Sequence, residues 1–126
     1  MSDSGYQSLE QLRDALRAFA LERDWDQFHS PKNLAMALAV ESGELLEHFQ
    51  WLTEAASQQL SAEQRREVAA ELADVFIYLV RLADKLGIDP LQAAGAKMAL
   101  NAQRYPAAAF RGSSRKYNDP VDEPSR

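Results

Sequence analysis

Hydrophobic and polar positions along this chain recur with a helical period, and no alternating strand pattern persists. Leu9, Leu12, Leu16 and Phe19 form a stripe that predicts a first helix, opened by a Ser8–Gln11 capping box and ending near Asp24. "DWDQFHSPKN" follows as a connector holding two aromatics and a histidine. Ser30 as cap and Pro31 at the first position predict a second helix, running to about Ala56. Ser61 and Gln64 make the capping box of a third, which continues to Leu86 and stops at Gly87. Asp89 and Pro90 open a fourth, which Pro106 ends. The expected fold class is therefore all-α, with two long and two shorter helices whose short connections favour an antiparallel, four-helix bundle-like arrangement. The long helices would span roughly 36–40 Å at about 1.5 Å per residue. So slender a chain is expected to complete its core by oligomerising, two-fold symmetry being the commonest solution. Residues 1–106 form the predicted helical domain. Residues 107–126, rich in Pro, Gly, Ser and both charge signs, are expected to be a polar tail, flexible unless a neighbouring subunit orders it.

Four acidic residues break this pattern. Glu41 and Glu44 in "ESGE", and Glu71 and Asp74 in "ELAD", each have i, i+3 spacing, which points both carboxylates of a pair to one face of one helix. Stepping about 100° per residue from Glu41, Leu34, Leu38, Leu45 and Leu52 cluster around it, with Glu44 and His48 at the edge of the arc. The same wheel around Glu71 gathers Val68, Val75, Tyr78, Leu82 and Leu86, with Asp74 flanking. A lone pair of this kind reads as a solvated helix face. Two pairs, each on the apolar side of its helix, read differently, because a buried and unpaired carboxylate must be neutralised, paired or bound to metal. Converging carboxylates cannot neutralise one another, so hard divalent cations are the natural remedy. A di-iron bundle site needs Glu-x-x-His on two helices. Here Glu44 and His48 are i, i+4 and the "ELAD" helix has no histidine. All-oxygen ligation points to Mg²⁺, with Mn²⁺ a possible substitute, rather than iron or zinc.

Composition narrows the setting. The 126 residues are 46% hydrophobic and 26% charged, ordinary for one soluble globular domain. The absence of cysteine excludes disulfides, thiolate zinc sites and cysteine nucleophiles. "MSDSGYQSLEQ" lacks the basic start and apolar run of a signal peptide, and no stretch approaches transmembrane length, so the expected location is cytoplasmic, without a membrane partner. A net charge of −5 and the lack of a Lys/Arg run argue against a nucleic-acid partner.

Two further groups could bind a ligand. Lys97, Asn101 and Arg104 fall within about 60° of one another on the fourth helix. They are either an exposed face or a grip for a phosphate chain, which Arg can hold bidentately. Trp25, His29 and Trp51 form the other group. Tryptophans commonly fill cores, yet Trp25 sits in a polar connector and Trp51 falls beside Glu44 on the wheel, where a base could stack between rings. His29, just before the cap Ser30, could equally be a hydrogen-bonder of the loop.

"FALERDWDQFHSPKNLAMALAVESGELLEHFQW", "ELADVFIYLVRLADKLGID", "KMALNAQRYP" and "SSRKY" together resemble the all-α nucleoside triphosphate pyrophosphatases of the MazG-like superfamily. More narrowly they look like its dCTP pyrophosphatase branch, from about Leu9 to Tyr117. The paired acidic motifs mark the superfamily. "ERDW", "FHSPKN", "HFQW" and "SSRKY" narrow it to the branch. The resemblance implies a helical homotetramer that binds Mg²⁺ and hydrolyses nucleoside triphosphates to monophosphate and pyrophosphate. By motif position, Glu41, Glu44, Glu71 and Asp74 would hold the metal and carry catalysis. Lys97 and Asn101 would hold phosphates. Trp25, Trp51 and Tyr78 would frame base and sugar, with His29 and Asn33 nearby, and Arg115 and Lys116 would reach a neighbouring active site. Where the animal enzymes of the branch carry a pocket histidine in the first helix, this chain has Leu16.

The expected activity is Mg²⁺-dependent cleavage of the α–β anhydride of a dNTP, dCTP or a 5-modified dCTP first, in nucleotide-pool housekeeping. Ser42 has no basic partner at obvious spacing, so direct hydrolysis by water is expected rather than a covalent intermediate. The rival is a non-catalytic helical oligomer or regulator that binds cations or nucleotides. Release of pyrophosphate from a dNTP panel separates the two.

Overall fold

The computed structural model describes residues 5–119, and all regular structure among them is helical. Helix α1 spans Leu9–Glu22, a 3-10 turn covers Asp26–Phe28, and α2 spans Pro31–Glu47. Helix α3 is the single turn Glu54–Ser57, α4 spans Ala62–Lys85, α5 spans Pro90–Arg104 and α6 is Ala107–Phe110. The chain divides into two compact units, Met1–Ile88 and Asp89–Arg126. No helix among the described residues is long and apolar enough to cross a membrane.

Local chemistry sets most helix ends. The Ser30 hydroxyl accepts from the Asn33 amide and Pro31 opens α2. Ser61 and Gln64 form a full capping box, each side chain accepting the other's backbone N–H, at 3.1 and 2.8 Å. The Asp89 carboxylate accepts from the amides of Leu91 and Gln92 ahead of α5. Gly87, at φ +67°, takes the left-handed conformation that closes α4, so that the Ile88 amide returns to the Ala83 carbonyl. At the start of α1 the box is shifted: Ser8 caps Gln11, but the Gln11 side chain reaches back to the Gln7 amide instead. Asp24 ends that helix with φ 54°, an unusual value for a residue with a side chain. Gln27 donates to both its carbonyl and its carboxylate, and the Trp25 amide bonds the Ala20 carbonyl, which folds Trp25 back along α1.

One expected boundary moves. The second helix ends at Glu47 rather than about Ala56. The amides of Phe49 and Leu52 turn tightly onto Leu46 and Phe49, and the Thr53 hydroxyl then caps a new turn by accepting from Ala56. Thr53 offers its neighbours a cap that competes with continued helix. Trp51 therefore lies in this turn, not on the helical wheel beside Glu44, and is 89% exposed.

In the first unit, α2 and α1 both pack on α4. Its core is small: Ala20, Leu34, Val68, Val80 and Ala83 are the buried apolar side chains. Met36, Val40 and Leu46 of α2, and Leu72, Phe76 and Leu79 of α4, stay exposed. In the second unit, Tyr105 meets Phe110 and Tyr117 edge-to-face, at 4.9 and 5.9 Å between centroids, which gathers part of the expected tail into an aromatic cluster. The remainder of that tail, residues 120–126, lies outside the described residues.

Candidate active site

Packing of α2 on α4 brings the two acidic motifs together. Carboxylate oxygens of Glu41, Glu44 and Glu71 all lie within 4.8 Å of one another, each residue half-buried. Oε2 of Glu41 and Oε2 of Glu71 are fully buried and lack any hydrogen-bond partner. Glu41 is pushed up to about 7 by loss of water, by a hydrogen bond with Glu44, and by the charges of Glu44, Asp74 and Glu71. Glu41 is thus poised to hold a proton close to neutrality, hydrogen-bonded to Glu44. Asp74 is exposed and stands outside the tight trio, acting on Glu41 through its charge. His48, which caps the end of α2, places Nε2 3.8 Å from Glu71 Oε1 and Nδ1 4.0 Å from Glu67 Oε2.

Unpartnered buried oxygens beside mutually repelling carboxylates make a site that a cation would relieve. The donor set is all oxygen and hard, which fits Mg²⁺ or Mn²⁺. Glu41, Glu44 and Glu71 are placed to hold such an ion, with Asp74 at the edge.

A cavity of about 300 Å³ opens in the same unit, between α1, the connector and α4. Trp25, His29 and Tyr78 line it together with Phe19, Leu12, Leu16, Ile77 and Arg81. Trp25 meets Phe19 edge-to-face at 5.7 Å, which holds its ring at the wall. Tyr78 lies two turns beyond Glu71 on one face of α4, about 10 Å along the axis. Leu16 is indeed a wall residue of this cavity. Asn33 is tied to the connector, its amide donating to the Phe28 carbonyl at 3.0 Å.

Arg81 is the residue that periodicity did not single out. It is 4% exposed, and its Nη2 donates to Asp26 Oδ1 and faces His29 Nδ1, both at 3.1 Å. Asp84 pairs with it at 3.6 Å and is bonded in turn by Arg17 Nε at 2.7 Å, while Lys85 grips Asp26. Asp84 is held below the usual carboxylate range, chiefly by Arg17, and Asp26 is lowered, chiefly by Lys85.

The remaining predicted residues divide. Trp51 is not among the cavity's lining residues. Lys97, Asn101 and Arg104 lie on α5 of the second unit, where the Arg104 guanidinium stacks on Tyr117 at 4.5 Å. Arg115 stacks on Phe110 at 4.4 Å and donates to the Ala109 carbonyl, and the Lys116 amide donates to Asp119.

Among the described residues the fold is all-helical, with clustered carboxylates on two packed helices and an aromatic-lined cavity in the same unit. Residues 36–119 match the MazG-like family, and the chain belongs to it. It is 48% identical over 114 residues to human dCTP pyrophosphatase 1, covering 89% of this chain and 67% of that protein. The bovine dCTP pyrophosphatase 1 is 46% identical over 120 residues, 94% of this chain and 71% of the relative. Among solved structures, a pyrophosphatase from Archaeoglobus fulgidus superposes with a TM-score of 0.75 at 38% identity, covering 84% of this chain and 99% of its own.

Proposed function

We infer that this chain is a nucleotide pyrophosphatase that hydrolyses dCTP, or a 5-modified dCTP, to the monophosphate and pyrophosphate with Mg²⁺. The observation that carries this reading is the trio Glu41, Glu44 and Glu71, which leaves two buried oxygens without partners. A site so built is strained by its own charge until a cation enters. The relatives named dCTP pyrophosphatase 1 supply the substrate. A bound divalent ion would polarise the phosphoryl oxygens and neutralise their charge.

The residues of the chain do the rest. Water adds at one phosphorus of the α–β anhydride, and the bridging oxygen leaves with the other phosphorus. Glu41 and Glu44, side by side at the site, can orient that water and take up its proton. Trp25 and Tyr78 frame the base, with His29 at its edge, and the apolar wall around Leu16 excludes water there. Lys97, Asn101 and Arg104 would hold the phosphates, with Arg115 and Lys116 offered to a neighbouring site.

Assembly as a homotetramer belongs to this reading. The apolar side chains left exposed on α2 and α4 support it, since assembly would bury them. The proposed setting is the cytoplasm, where such an enzyme would clear unwanted nucleotides. Pyrophosphate release from a panel of dNTPs, with and without Mg²⁺, tests the proposal. Release from dCTP above the other nucleotides, only with the metal, is expected. Tight nucleotide binding without release would instead establish a regulator.

A further inference from the structure

Arg81 sits where an apolar residue would fill the wall of the cavity without complication. An arginine there must be satisfied by acceptors, because guanidinium offers donors only. Its Nη2 reaches His29 Nδ1 at 3.1 Å. A donor-only group at that distance requires a bare lone pair on Nδ1. The ring proton must then be on Nε2, and a doubly protonated imidazole would set one donor against another. Among the described residues Nε2 has no hydrogen-bond or ion-pair partner, and the ring lines the cavity.

We propose that Arg81 is a positioning residue for base recognition: it fixes His29 as the neutral Nε2–H tautomer, so that the cavity presents one permanent donor to a carbonyl or ring-nitrogen acceptor of the nucleobase. This rests on the assignment of the cavity to the base. The surrounding charges support the lock. Arg81 and Lys85 reach the ring from α4, and Asp26 reaches it from the connector. Arg17, from α1, is turned to Asp84, and Tyr6 and Tyr78 share the wall. Burial first, and Arg81 second, hold the imidazole below its ordinary range, with Asp26 opposing. Asp26 and Asp84 in turn anchor the guanidinium, so the whole cluster aims one hydrogen bond.

The chain has two histidines, so ¹⁵N NMR of the full protein resolves the ring nitrogens, with His29→Gln assigning them. Wild-type His29 should show an unprotonated Nδ1 and a protonated Nε2 at pH 7.5 in the absence of nucleotide. A protonated Nδ1, or a mixture of tautomers, would overturn the proposal without any variant. In Arg81→Met the ring loses both the donor that fixes its tautomer and one of the cations that lowers it, so Nδ1–H and Nε2–H forms should mix and the ring should take up its second proton at higher pH than in wild type. The variant-to-wild-type ratio of KM for dCTP should then rise on acidification from pH 7.5 to 5.5, with kcat falling less. A ratio that stays flat with pH would reduce Arg81 to a structural part of the wall. Adding dCTP with Ca²⁺ should also shift the His29 and Tyr78 signals. If those signals stay still while Trp51 fluorescence responds, the base lies elsewhere and the recognition role fails, even with the tautomer confirmed.

Discussion

Replacing Glu41 by Gln should destroy Mg²⁺-dependent turnover yet stabilise the metal-free protein. Glu41 is raised from its ordinary 4.5 to about 7 in the folded chain. At about 1.4 kcal/mol per pH unit, that displacement corresponds to roughly 3 kcal/mol of folded-state penalty once the group is ionised in both states. Glu41 is only half-buried, so solvent screening reduces the usable figure to about 1–2 kcal/mol. The sign follows from proton binding. Below pH 4.5 the carboxyl is protonated folded and unfolded, and nothing is lost. Between 4.5 and about 7 the folded state binds the extra proton, so wild-type stability falls as pH rises. Above that, the full penalty persists. Gln has no such titration. The metal-free Glu41→Gln variant should therefore melt several degrees above metal-free wild type at pH 8, at roughly 4–8 °C per kcal/mol for a unit of this size. The gap should close near pH 4. Saturating Mg²⁺ should reverse the order, since a ligand at a hundred times its Kd adds about 2.7 kcal/mol to the protein that binds it. Calorimetry across pH with chelator or Mg²⁺ reads all three effects. A metal-free variant that melts below wild type at pH 8, or a gap that widens on acidification, would show Glu41 to be favourably paired rather than strained. Wild-type turnover in the variant would remove it from the metal site.

Trp25→Ala should raise KM for dCTP about 5- to 150-fold, because base–aromatic stacking is worth about 1–3 kcal/mol, and the melting point should also drop with the loss of the Phe19 contact. Trp51→Ala should leave the melting point of the isolated chain unchanged, since the ring is 89% exposed, and should alter KM for dCTP far less than Trp25→Ala, because Trp51 does not line the cavity; an equal rise in KM would place the base against Trp51. Mixing inactive Glu71→Gln subunits with chains truncated after Phe110 should restore activity above either parent if Arg115 and Lys116 serve a neighbouring site, whereas full activity of the truncated chain alone would show the tail to be dispensable.

Features written in consecutive residues were legible before any coordinates. The caps at Ser30–Pro31, Ser61–Gln64 and Asp89–Pro90 depend on hydrogen bonds spanning two or three positions, and they form where the sequence places them. The two acidic pairs were legible because helical spacing sets Glu41 beside Glu44 and Glu71 beside Asp74, and a carboxylate in an apolar stripe demands a partner, whereas the convergence of three of the four, with Asp74 outside, depends on how α2 packs on α4. The end of α2 was less so. Leu45, Leu46, Phe49 and Leu52 keep an apolar rhythm past Glu47, and periodicity cannot weigh it against the cap that Thr53 offers six residues after Glu47.

Arg81 marks a different limit. Its partners Asp26 and His29 lie 55 and 52 positions away, and the second guanidinium on Asp84 comes from 67 positions away. No local pattern encodes those pairs; they exist because α1 and the connector fold back onto α4. A trace was nonetheless present. Stepping about 100° per residue from Glu71 puts Arg81 on the same flank as Asp74, a charge between Val80 and Leu82 at the edge of the apolar face. The rule that drew attention to Glu41 and Glu71, a charge where apolar contact is expected, applies to Arg81 with the sign reversed. A buried cation cannot be relieved by metal, so its remedy must be carboxylates and lone pairs supplied by the fold. Asp26, Asp84 and His29 Nδ1 are those groups, which is why the acidic part of α4 calls for an ion from solution while the basic part draws its partners from the fold, with Arg81 Nε left buried and unpartnered and His29 Nε2–H free for a ligand.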